Sequence, residues 1–280
     1  MSRTMPGPRS IMLGLWSLLV AVFLFAPIVA VLAYSFNVGD YLIIWKGAGL
    51  RWYGRVLSDQ NILSTLRTSV TVALSTAIAS IVLGCVCGTV LARRPAAVAV
   101  PLSLLLLVVL SFPEIVKAVA YLIWFVRIDL DAGLARMIIA HTLFGGALVA
   151  FIVRARLGAL DPRLEEAAAD LGASPGLAFM TVTLPLLTPA LVVGGLLAFT
   201  ISFDDVIVSL FVSTAKTTPL PVYILASVRQ GLKGDIAAIS ALMFGLTILV
   251  FAAAGLFLAW SGASKRNAVL MLAGQGEAAA

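Results

Sequence analysis

Charge is scarce in this sequence. Asp, Glu, Lys and Arg together make up 11% of its residues, where soluble domains carry about 25%. That shortage, with 61% hydrophobic residues and a mean hydropathy of +1.10, excludes an ordinary water-soluble fold and points to a chain that crosses a membrane several times. Histidine is scarcer still. One residue, His141, leaves little room for a histidine-based triad or metal centre. The two cysteines, Cys85 and Cys87, lie two positions apart inside an apolar run. On a helix they point to different faces, so they read as small packing residues and not as a disulfide or a metal pair. No G-x-x-x-x-G-K-[ST] or H-E-x-x-H occurs, which removes the usual signatures of a nucleotide or zinc-hydrolase site. The chain is not expected to be an enzyme, nor to hold a cofactor or metal of its own. The alternation of a membrane barrel is also missing. The net charge of +6 would suggest nucleic acid in a soluble protein. Here the basic residues flank apolar runs, so they anchor helices at lipid headgroups and imply no nucleic-acid partner.

What is present is a series of charge-free runs long enough to span a hydrocarbon core of ~30 Å. A short basic tail leads into an apolar run over 11–34, longer than the core of a signal peptide, which predicts an uncleaved first span. Residues 37–66 are polar and carry Trp45, Trp52 and Tyr53, suited to an interface. Further spans are predicted at 68–92, at 97–126 with Pro113 interrupting, between Arg136 and Arg154, at 186–211 and at 236–260. The second contains Gly84 and Gly88 at a spacing that permits close helix contact. The Ala/Gly-rich end is expected to be disordered. The fold class is therefore an all-α integral membrane protein of six transmembrane helices. Three parts are expected: residues 1–66 as tail, first helix and outer loop; 67–260 as the core; and 261–280 as a tail. An even number of spans puts both termini on one side. With nine basic residues on each side, charge does not say which.

One connecting segment looks constructed. Residues 161–185 read DPRLEEAAADLGASPGLAFMTVTLP. Asp161 can cap a helix and Pro162 suits its first position. Glu165 and Glu166 lie near the positive end of that helix. Leu164, Ala167, Ala168 and Leu171 fall on one face, and Glu166 and Asp170 share another. Gly172 is a natural stop, and Ser174-Pro175 starts a second helix. About ten residues give ~15 Å, too short to cross a bilayer, so the segment predicts a helix–turn–helix lying along a membrane face.

Glu166-Ala167-Ala168, three residues, Gly172, nine residues and Val182-Thr183-Leu184-Pro185 resemble the EAA loop of the permease subunits of bacterial ABC importers, with Val182 where that family usually has isoleucine. Ser35-Phe36-Asn37 also resembles that family, 111–116 (SFPEIV) and 202–209 (SFDDVIVS) are similar to segments of its spermidine/putrescine-type branch, and the likeness of the core covers roughly 65–260. The resemblance implies a type-1 ABC transmembrane domain whose coupling helix docks on a cytoplasmic ATPase through Glu165, Glu166, Ala167, Ala168, Gly172, Leu184 and Pro185. It also implies two ATPase subunits that hydrolyse the ATP, a second and related permease, a periplasmic solute-binding protein, and an inner-membrane location with both termini cytoplasmic. The implied solute is a polyamine. The alternatives are a phosphonate or iron-complex importer, or an ion-coupled secondary transporter, whose inverted repeats are not evident here.

The carboxylates inside the spans carry the remaining signal. An ionised Asp at a helix centre costs roughly 2.5–3.5 kcal/mol on insertion scales, so such groups face a bundle interior or a water-filled cavity. Counting from Pro101, Glu114 lies ~20 Å along the third span; counting from Pro189, Asp204 lies ~22 Å along the fifth. Glu114, Asp204 and Asp205 are thus expected at similar depth, lining a pathway for a cation. The competing reading has Glu114 neutralised by Lys117 three residues on, with the aspartates merely ending a helix. His141, alone near the end of its span, reads as an interfacial or hydrogen-bonded residue.

Overall fold

The computed structural model of the protein describes residues 8–41, 44–130, 133–161, 163–229, 231 and 233–260. Its helices run in the order α1 (Pro8–Tyr34), α2 (Arg51–Ser58), α3 (Gln60–Arg93), α4 (Ala96–Ser111), α5 (Glu114–Arg127), α6 (Gly133–Gly158), α7 (Arg163–Asp170), α8 (Pro175–Ala178), a π turn (Phe179–Thr183), α9 (Leu184–Phe203), α10 (Ile207–Val212), α11 (Leu220–Val228) and α12 (Gly234–Trp260). Among the described residues the only β pairing is two isolated bridges, Asn37 with Ala48 and Tyr41 with Lys233. Five stretches are long and apolar enough to cross a membrane: Met12–Tyr34, α3, α6, the continuous Pro175–Phe203 and α12. The pair α4 and α5, bent by 106°, makes a sixth when counted as one broken span. Six spans is the expected number. The uncharted ends, with Arg3, Lys265, Arg266 and the Ala/Gly-rich tail, lie outside the described residues.

The chain divides into two compact units, residues 1–63 with 224–246 and residues 64–223 with 247–280. In the first, the turn after α1 is built on polar side chains. Ser35 and Asn37 are fully buried. The Asn37 amide donates to Ile44 O at 2.9 Å and its carbonyl accepts from Gly39 N and Lys46 N at 3.1 and 2.9 Å, which closes the loop around one side chain. Ser35 Oγ lies 2.6 Å from Tyr53 Oη. Trp52 departs from the interfacial role expected of it. It is buried, and its indole N–H donates to Gly39 O at 3.0 Å. A Cβ on Gly234 would lie 2.2 Å from that indole nitrogen, so this seat requires glycine.

In the second unit α6 packs along α3 and α9 through small residues. A Cβ on Gly84 would lie 2.4 Å from Val149 Cβ, and one on Gly88 would lie 2.6 Å from Ala150 O. The Gly84/Gly88 spacing is therefore a true close contact with α6. In lipid, such contact is what holds helices together, because burying apolar surface gains little there. Val149, Val153, Leu157, Leu187, Leu191 and Ala198 form one buried cluster in this seam.

Two spans differ from expectation. The fourth is 26 residues long, not about 17, because Arg136, Arg154 and Arg156 extend the helix at its ends instead of bounding it. The fifth begins at Pro175, so Pro185 and Pro189 lie within it. The wider π turn falls where the Pro185 ring would otherwise crowd a carbonyl four residues back. The same span ends at Phe203, with a second short helix starting at Ile207, so Asp204 and Asp205 occupy a break and not a helix interior. The third span, expected to be interrupted at Pro113, is two helices divided at Phe112-Pro113.

Candidate functional site

Two places bring charged side chains together. The first is the segment after α6. Asp161 Oδ1 accepts from Arg163 N at 3.0 Å, as a cap should; Pro162 lies outside the described residues. Helix α7 is eight residues long, ~12 Å. It closes at Gly172, with φ +85°, through Gly172 N–H to Ala169 O at 2.8 Å and Ala173 N–H to Ala168 O at 3.0 Å. This is a Schellman stop, which needs a left-handed residue. Ser174 then accepts from Leu177 N at 3.4 Å and Pro175 takes the first position of α8. No residue of α7 is buried by this chain: Leu164 is 44% and the following Leu171 90% exposed. Glu166, Ala167 and Pro185 are exposed, while Ala168 and Leu184 are half-buried.

Glu165 differs from Glu166 beside it. Its carboxylate accepts from the Arg93 guanidinium at the end of α3 and from the Thr183 hydroxyl just before α9. Burial pushes this carboxyl up, but the Thr183 and Arg93 hydrogen bonds and the Arg93 charge outweigh it and hold Glu165 below the ordinary carboxylate range. One acidic residue thus ties α7 to the ends of two spans. Sequence reading found Glu165 but neither partner, since 72 and 18 residues separate them.

The second place is where the two broken spans meet. Pro113 caps α5 and puts Glu114 in its first turn. Asp204 is the C-cap of α9 and is exposed. Asp205 is buried. Its Oδ2 accepts from Ser209 N at 2.7 Å, which starts α10, and lies 3.2 Å from His141 Nε2 on α6. His141 Nδ1 lies 2.7 Å from Ser202 Oγ, and Nε2 lies 3.4 Å from Ser209 Oγ. An Nε2–H tautomer satisfies this set: it donates to Asp205 while Nδ1 accepts from Ser202. The break in the fifth span is therefore stapled to the fourth by a buried acid–imidazole pair.

Glu114, Lys117, Tyr121, His141, Phe144 and Asp205 line one cavity of about 180 Å³, together with apolar residues of α6, α9 and α10. Glu114 and Asp205 thus come together from positions 91 residues apart in the chain, while Asp204, placed with them from the sequence, does not line this cavity. His141, read from the sequence as interfacial or hydrogen-bonded, is hydrogen-bonded, but its place beside Glu114 and Lys117 was not foreseen. A lone ionisable group in an apolar span was the available signal.

Residues 80–266 match the family described as binding-protein-dependent transport system inner membrane component. The chain belongs to this family. It is the membrane permease component of an ABC importer, and not an enzyme. The putrescine transport system permease protein PotI of Escherichia coli K12 is 35% identical over 253 residues, 87% of each chain. The spermidine/putrescine permease PotC of Haemophilus influenzae is 34% identical over 229 residues, 82% of this permease and 89% of that one. Among solved structures, a bacterial ABC transporter involved in import of the acidic polysaccharide alginate superposes with a TM-score of 0.69 at 16% identity, covering 90% of this chain and 98% of its own. That likeness fixes the fold as that of a type-1 ABC transmembrane domain, and the family match with the apolar helices makes the chain a multi-pass inner-membrane protein. Membership implies work alongside ATPase, binding-protein and permease partners.

Proposed function

We propose that this permease passes a putrescine- or spermidine-like organic cation across the inner membrane. The observation that carries the reading is the meeting of Glu114 and Asp205 at two helix breaks inside otherwise apolar spans. Broken helices at membrane depth are tolerated where they line a cavity or are covered by protein. Glu114 and Asp204 are, in addition, exposed on the single chain. Against lipid each would cost about 2.5–3.5 kcal/mol when ionised. Facing a water-filled path shared with a second permease they do not. Carboxylates attract an ammonium and repel a phosphonate, and the names of PotI and PotC agree with a polyamine.

In this reading the second permease is a related chain in a heterodimer, two ATPase subunits sit on the cytoplasmic face, and a periplasmic protein delivers the solute. Both termini are cytoplasmic. This chain needs no cofactor, since the ATPases hydrolyse ATP. Their closure is received by the exposed α7 and passes through Glu165, Glu166, Ala167, Ala168, Gly172, Leu184 and Pro185. Glu165 carries it directly to α3 and α9 through Arg93 and Thr183.

The test is ATP-driven uptake of labelled putrescine by the reconstituted transporter, with and without a protonophore, for Glu114→Gln, Asp204→Asn and Asp205→Asn. Uptake should need ATP, ignore the protonophore, and fall at least tenfold in Glu114→Gln. Unchanged rate and apparent affinity in all three variants, at normal expression, would remove the pathway assignment.

A further inference from the structure

Lys117 is the one lysine among the residues lining the cavity. Its Nζ lies 4.2 Å from the centroid of the Phe144 ring, inside the ~6 Å range over which a ring face attracts a cation. It stands one helical turn from Glu114 and shares the cavity with both Glu114 and Asp205. We propose that Lys117 is a resident ammonium: in the solute-free permease it occupies the seat on Phe144 that a primary ammonium end of the solute takes in passage. The inference rests on the organic-cation reading above and deepens it.

Three features argue for a seat that changes hands. The cavity, about 180 Å³, presents the face of Phe144 to one cation. Two carboxyl groups, Glu114 and Asp205, share the cavity with one ammonium; Asp205 is held by His141 and Ser209, so removing Lys117 leaves Glu114 without a neighbouring cation unless another enters. Exchange of one primary ammonium for another keeps charge and ring contact constant. The lysine stem is four flexible carbons, and Lys117 is only half-buried, so its head can withdraw without moving α5. The opposing partner His141 is already committed to Asp205 and Ser202 and cannot substitute. A seat fitted to lysine's own head selects primary ammonium groups. It rejects anions and gives neutral molecules no means of displacing the lysine.

The test uses the whole transporter, permeases and ATPases together, in nanodiscs without nucleotide or binding protein. Labelled putrescine is the probe and 1,4-butanediol the neutral competitor. Lys117→Gln removes the competing cation and should tighten putrescine binding about tenfold. Lys117→Arg keeps the charge and stacks more firmly on the ring, so it should weaken binding several-fold. Phe144→Leu placed on Lys117→Gln should reverse the gain, and the diol should compete in none. A Lys117 serving only as a permanent counter-ion predicts the opposite: Lys117→Gln binds no better than the parent and melts earlier. That result overturns the proposal, as does the lack of saturable binding at millimolar putrescine in every variant. If Lys117→Gln does not assemble, an Arg variant that binds as the parent does overturns it alone. Glu114→Gln, measured for uptake in parallel, separates the two claims. Normal uptake there and in Asp204→Asn and Asp205→Asn sinks the cation pathway, whereas impaired uptake with unmoved Lys117 affinities sinks only the resident ammonium.

Discussion

Glu165 and Asp205 are both carboxylates gripped by residues from distant helices, but the grips differ in kind. Glu165 holds a flexible cation and a hydroxyl at a half-exposed surface, with about a third of its side chain open to solvent. Asp205 holds an imidazole and a backbone N–H with 5% of its side chain exposed. Water shares the first interaction and is excluded from the second. The first can therefore loosen and re-form with each catalytic cycle of the ATPases at little cost. The second fixes a broken helix in a place where an unpaired charge is intolerable. One suits a moving joint, the other a fixed frame around the cavity.

The largest effect should come from disrupting the joint's geometry. Gly172 has a left-handed backbone and open space where a Cβ would go, so the obstacle to substitution is conformation and not crowding. Gly172→Asp should abolish ATP-driven transport while the permease still inserts and assembles, read as uptake against membrane abundance. Wild-type uptake in that variant would argue against α7 as the coupling element. Next comes the frame. His141→Leu leaves Asp205 buried with only the Ser209 contacts. Breaking one partner of a buried pair costs about 3–5 kcal/mol. The variant should lose thermal stability in detergent and yield little protein, and adding Asp205→Asn should restore much of the stability without restoring uptake. If His141→Leu melts with the parent, the pair is not a frame.

The two sites were not equally legible in the sequence. The 161–175 segment is written locally: cap, acidic first turn, Gly172 stop and Ser174-Pro175 restart all lie within 15 residues, and each has its own stereochemical signature. The cavity is not local. Pro113 marked one break, yet nothing near Asp204-Asp205 announces the other, since a pair of aspartates is compatible with a helix end or a helix interior. Choosing between Asp204 and Asp205 required knowing that α6 brings His141 alongside. The Gly84/Gly88 contact was similarly ambiguous. The spacing is common, and only the position of Val149 and Ala150 against it makes it a packing device. The π turn before Pro185 had no sequence signal beyond the proline itself.

The smallest effect expected is at Glu165 itself. Glu165→Gln keeps an acceptor for Arg93 and Thr183 but loses the charge. Charge-assisted hydrogen bonds are roughly twice as strong as neutral ones, yet exposed ion pairs contribute only about 0–1 kcal/mol. Folding should be unaffected and uptake should fall only a few-fold. The pH dependence is more diagnostic than the magnitude. The carboxyl is held below its ordinary value in the folded protein. Its contribution is therefore complete above the ordinary carboxylate range and is lost as pH falls through the lower, folded value. Hydrogen-exchange protection of the 163–183 backbone, corrected for intrinsic rates, should be constant from neutral pH down to the carboxylate range and then decline on further acidification. Glu165→Gln should show lower protection at neutral pH and no decline attributable to this group. Identical pH profiles in the two proteins would mean that Glu165 does not hold α7 to α3 and α9, and the contrast with the buried Asp205 would then rest on geometry alone.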